Sequence, residues 1–103
     1  MIGLVAILKA KAGKETALAA VLEGLVAPTK AEIGAVFYSI LRRSNAEGEY
    51  VVTELYRDKD AFATHMASSH VAAALNRFGE LLNNDPELRT VDWIDGFGRF
   101  ESS

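Results

Sequence analysis

The run Ala35–Arg57, AVFYSILRRSNAEGEYVVTELYR, decides the fold. Two apolar segments rich in β-branched and aromatic residues, Ala35–Arg43 and Glu49–Arg57, flank the polar loop Ser44-Asn45-Ala46-Glu47-Gly48. Such side chains fit a pleated, half-buried surface, and a polar loop with glycine lets the chain reverse, so the run reads as an antiparallel hairpin. Helices flank it. Upstream, Lys14–Ala27 carries Leu18, Val21, Leu22, Leu25 and Val26 on one stripe at spacings of three and four. Pro28 interrupts that stripe and predicts a further turn or two stopping at Gly34. Downstream, Asp58 caps a short helix, Lys59–Ala67, with Asp60 adding negative charge to its first turn. Ser68-Ser69 ends that helix and caps the next, His70 to Asn83, which buries Val71, Ala74, Leu75, Phe78, Leu81 and Leu82. Asn84-Asp85-Pro86 breaks it.

Two further strands bracket these elements. Met1–Lys11, MIGLVAILKAK, sets Ile2, Leu4, Ala6 and Leu8 on one face and Val5 and Ile7 on the other. A strand apolar on both faces belongs where both faces are covered. One layer of helices covers one face, so a second subunit is the simplest cover for the other. Leu88–Phe100 is the predicted last strand, with Gly96 and Gly98 permitting a bulge or close crossing near its end. The order strand, helix, strand, strand, helix pair, strand is the split βαβ or ferredoxin-like α+β arrangement, an antiparallel sheet with helices on one face. Residues 1–103 read as a single domain.

Composition narrows the function. The 103 residues carry a net charge of -3 and no cysteine, which removes disulfides, zinc thiolates and a cysteine nucleophile. No Lys/Arg stripe is present, the nearest being Arg42-Arg43, so neither nucleic acid nor an anionic membrane is expected as partner. The apolar segment Ile2–Ala10 is too short to span a bilayer and lacks a basic leader, so a soluble cytoplasmic protein is expected.

Several segments carry a resemblance. Thr29-Lys30-Ala31-Glu32-Ile33-Gly34 is similar to a helix-ending T-R-x-E-x-G segment, with Lys30 for arginine, and Tyr38 follows where an aromatic is usual. Thr53-Glu54-Leu55-Tyr56-Arg57-Asp58 matches a strand-to-helix segment, Tyr56 standing where tryptophan is frequent. Ala61-Phe62-Ala63-Thr64-His65-Met66-Ala67-Ser68-Ser69-His70 matches A-x-x-x-H-x-x-S-x-H. Together they resemble the antibiotic biosynthesis monooxygenase family. The resemblance implies a homodimeric α+β barrel with a pocket between sheet and helices in each protomer. It also implies one of three activities: cofactor-free oxidation of quinols and polyketide-type phenols, isomerisation of a small phosphorylated ketone, or haem degradation. The haem branch uses an asparagine on the first strand and a tryptophan after the third; here the first strand has no asparagine and the one tryptophan is Trp93.

His65 is the foremost candidate for chemistry. Imidazole titrates near neutral pH and suits proton transfer with a substrate hydroxyl; the alternative is a histidine packed at the core margin. Glu54 shares a strand face with Tyr50, Val52 and Tyr56. A buried carboxylate needs a partner, and His65 or the Tyr38 hydroxyl would supply one; the alternative is a structural carboxylate tied to backbone or to an arginine. His70 follows His65 by five residues, so the two are not an i, i+4 metal pair. With no H-E-x-x-H and no third clustered ligand, no metal site is expected, and His70 is placed either at the pocket mouth or near its helix N-terminus, where the dipole disfavours its charge. Tyr38 and Glu32 are read as pocket residues or as sheet packing and a cap respectively. Tyr56, Phe62 and Met66 complete the expected substrate-binding set. Gly96-Phe97-Gly98 lacks the third glycine and the helix of a nucleotide motif.

No flavin, haem or metal motif appears, so no cofactor is expected and an oxygenase would run on its substrate's electrons. The expected function is a cofactor-independent monooxygenase that joins a small quinol or polycyclic phenol to dioxygen after His65-assisted deprotonation. The alternatives are a hydroxyketone isomerase with the same acid–base residues and a non-catalytic dimeric binding module.

Overall fold

The computed structural model describes residues 1–100. Strand β1 (Ile2–Lys9) leads into helices α1 (Glu15–Glu23) and α2 (Val26–Lys30). Strands β2 (Ala35–Arg42) and β3 (Glu49–Tyr56) form the hairpin. Helices α3 (Lys59–Met66) and α4 (Ser69–Leu81) follow, and β4 (Glu87–Asp92) closes the sheet. The strand order is β2-β3-β1-β4 with every neighbour antiparallel, the ferredoxin-like topology expected from the hairpin and its flanks. Asn45 and Gly48 turn the hairpin loop with φ of 62° and 82°. No helix is long and apolar enough to cross a membrane among the described residues.

Register sorts the side chains onto two faces. Glu54 stands between Leu4 on β1 and Tyr38 on β2, and Val52 between Ala6 and Ile40. Residues opposite one another share a face, so these, with Leu8 and Tyr50, form one surface. Helices α1 and α4 press Leu18, Leu22 and Leu81 onto it, closing a core with Ala6, Leu8 and Val52. The alternate residues Val5, Ile7, Phe37, Leu41, Val51 and Leu55 point the other way. Leu41 there is 52% exposed.

Two boundaries depart from the sequence reading. The predicted helix Lys14–Ala27 ends at Glu23 and restarts at Val26. Pro28 thus falls in the first turn of α2, where a missing N–H breaks no intrahelical bond. The predicted strand Leu88–Phe100 stops at Asp92. Its one neighbour is β1, whose first paired residue, Ile2, already faces Asp92, so later residues have nothing to pair with except the Met1 carbonyl, taken by the Trp93 N–H. Gly96 then turns the chain with φ of 150°, folding it over Met1, Phe37 and Leu55 on the outer face.

Gly34 has a different task from the helix stop expected of it. A Cβ there would collide with Ala61 Cβ on α3. The Arg57 N–H donates to the Gly34 carbonyl at 2.9 Å, so this turn and α3 are held in close contact.

Candidate active site

Two caps place the histidines. Asp58 accepts from the Ala61 N–H at 2.8 Å and starts α3. Ser68 Oγ donates to the His65 carbonyl at 2.6 Å and accepts from the Val71 N–H at 3.3 Å, so one hydroxyl ends α3 and begins α4. The break at Ser68 abolishes the simple helical offset between His65 and His70 and brings their ring centroids to 5.8 Å.

His65 is 3% exposed and Glu54 8% exposed. Glu54 Oε1 accepts the Tyr56 hydroxyl hydrogen at 2.6 Å and lies 3.1 Å from His65 Nε2. His65 Nδ1 lies 2.8 Å from Glu32 Oε2, which lies 2.6 Å from His70 Nε2. A continuous polar string thus runs Tyr56–Glu54–His65–Glu32–His70, from the core to a half-buried ring. The Tyr56 ring packs on that of His65 with centroids 4.7 Å apart, and Phe62 packs on Tyr56 at 5.6 Å.

Electrostatics follow from this string. Burial by itself disfavours the charged imidazole of His65, but its hydrogen bonds with Glu54 and Glu32, and their negative charge, outweigh burial and raise its pKa. Burial, then the hydrogen bond to Glu54, pushes the Tyr56 hydroxyl well above the phenol range. Burial, then the Glu54 charge, does the same to Tyr38, whose hydroxyl donates to the Leu22 carbonyl at 3.0 Å. Both tyrosines are therefore held as donors.

Beside the string lies a cavity of about 80 Å³ between the sheet and α1, α3 and α4. Its walls include Leu4, Leu22, Val52, Val71 and Phe78, and its polar lining side chains are Tyr38, Glu54 and His65. Met66, Leu75 and Leu88 also line it and are 38%, 51% and 47% exposed, so its apolar rim reaches the surface. Of the residues singled out in the sequence, His65, Glu54, Tyr38 and Met66 line the cavity; Glu32, His70, Tyr56 and Phe62 do not. Sequence reasoning missed Glu32 as the third member beside the two histidines, because it precedes His65 by 33 residues. It also missed Pro86 and Leu88 as wall, since nothing local shows that β4 returns beside β1.

Residues 1–77 match the sequence pattern of the antibiotic biosynthesis monooxygenases. This chain belongs to that family. Rv0793 from Mycobacterium tuberculosis, whose name places it provisionally among the monooxygenases, is 31% identical over 80 residues, 78% of each chain. Its structure superposes with a TM-score of 0.88 and 27% identity, covering 94% of this chain and 98% of that one. A Caulobacter crescentus structure bearing the family's name gives a TM-score of 0.84 at 32% identity, covering 91% of this chain and 90% of that one. PA3566 from Pseudomonas aeruginosa gives 0.84 at 26% identity, with 91% and 94% covered. In this member of the antibiotic biosynthesis monooxygenase family the three matching segments converge: Glu32 from the first, Glu54 from the second, and His65 and His70 from the third form one polar string.

Proposed function

We propose that this protein is a cofactor-independent monooxygenase that oxidises a small quinol-type substrate with dioxygen. One observation carries the reading: Glu54 enters an apolar cavity with Oε1 held by Tyr56 and His65 while Oε2 takes no hydrogen bond among the described residues. An ionised carboxylate in such a place is a ready proton acceptor, and its neighbours hold it without occupying its second oxygen. Glu54 accepts the proton of a substrate hydroxyl, and His65 stabilises the charge and orients the carboxylate. His65 itself has both ring nitrogens engaged, so it assists rather than abstracts.

The substrate anion is then electron-rich enough to reduce dioxygen within a pocket that excludes water. One oxygen atom enters the ring and the other leaves as water. The substrate supplies all four electrons, so a hydroquinone becomes a hydroxyquinone. The apolar walls Leu4, Leu22, Val52 and Phe78 suit the face of an aromatic substrate. The isomerase reading gains no support, because no lysine or arginine lines the cavity to hold a phosphate.

The working unit is a homodimer. Val5, Ile7, Leu41 and Val51 leave an apolar stretch of the outer sheet face that a second copy's matching face would cover. The test is oxygen uptake with single-ring quinols. Wild type consumes oxygen and forms the hydroxylated quinone, and Glu54→Gln does not; uptake unchanged in Glu54→Gln would sink the proposal.

A further inference from the structure

Glu32, His65 and His70 come from three places in the fold: the turn after α2, the last turn of α3 and the first turn of α4. Each offers one donor atom, and the three atoms lie within 4.8 Å of one another. Two imidazoles and one carboxylate form a common binding set for first-row divalent cations, leaving further positions for water.

Two independent features point the same way. His65 turns its other nitrogen, Nε2, to Glu54 Oε1 at 3.1 Å, and Tyr56 holds Glu54 in turn. Metal-ligating histidines characteristically donate their second ring N–H to a carboxylate, which fixes tautomer and ring plane. The second feature is charge. Glu32 and Glu54 have no lysine or arginine among their ion-pair partners among the described residues, so two adjacent, largely buried carboxylates lack a fixed cation.

We propose that Glu32, His65 and His70 bind one first-row divalent cation, Zn²⁺ or Fe²⁺, through one carboxylate oxygen and two imidazole nitrogens. Of the three, only His65 lines the cavity, so the cation sits behind the ring and away from the substrate. It holds His65 as an Nε2–H donor to Glu54, a positioning role. Cation binding does not depend on the proposed oxygenation, and its test needs no substrate.

Tag-free protein, stripped with a chelator and dialysed, is titrated with Zn²⁺ by calorimetry, with Fe²⁺ anaerobically, and with Co²⁺ while visible d–d absorption is followed. The expected result is one ion per chain at micromolar Kd or tighter. Glu32→Gln and His70→Ala each weaken Zn²⁺ binding by about tenfold or more, and Glu80→Gln, in an exposed pair with Arg77, leaves it unchanged. X-ray absorption of the wild-type Zn²⁺ complex shows imidazole scattering even if a variant fails to fold. The proposal is overturned by the absence of saturable binding below millimolar for all three ions, by an equal Kd in every variant, or by an all-oxygen shell without imidazole.

Discussion

Tyr56 donates to Glu54 at 2.6 Å from two residues along the same strand face. This contact is local in sequence and central to the site, because it fixes one oxygen of the carboxylate while the other takes no hydrogen bond among the described residues. Tyr56 is fully buried. Tyr56→Phe keeps the ring against His65 and removes one charged hydrogen bond, at a cost of about 1.5–3 kcal/mol. A lowered urea midpoint with an unchanged m-value checks this. Oxygen uptake should fall, but less than in Glu54→Gln.

Glu54→Gln preserves shape and removes the proton acceptor. Its expected loss in kcat is about 10²–10⁴-fold, the usual worth of a positioned base. Near-wild-type thermal melting in the same variant separates this from unfolding. His65→Gln should also lower kcat while KM for the quinol stays within a few-fold, because the ring orients Glu54 more than it binds substrate.

Gly34→Ala tests the contact between the α2–β2 turn and α3. The new methyl meets Ala61 Cβ, and overpacking of this kind costs about 1–3 kcal/mol. A double-mutant cycle with Ala61→Gly should recover part of the loss; strict additivity of the two changes would show that the collision is not the cause.

Val51→Asp places a charge in the middle of the apolar outer face, opposite Ile7 and Leu41. Light scattering should give twice the 11.2 kDa chain mass for wild type and a single chain mass for the variant. A wild-type monomer at micromolar concentration would remove the barrel from the proposed assembly.

The fold was legible because its signals are local. Asp58 and Ser68 cap helices where their side chains reach the next turn, and the Ala35–Arg57 run reverses at its polar loop. The end of β4 was not legible. Trp93–Phe100 is as strand-like in composition as the residues before it, and only the length of β1 ends the pairing. Glu54 was legible as a buried carboxylate, because strand alternation alone assigns it to the face of Tyr50 and Val52.

The string around His65 divides the same way. Alternation and helical spacing suffice to place Glu54 and His65 on inward faces, since each depends on neighbours a few residues away. That Glu32 and His70 join them, and that both nitrogens of His65 are thereby occupied, depends on contacts spanning 33 and 38 residues. Those contacts arise from the packing of α2 and α3 against the sheet and from a helix break at Ser68. No periodicity within one segment encodes such a distance, so the group that lines the cavity and the groups that stand behind it were separated by tertiary packing.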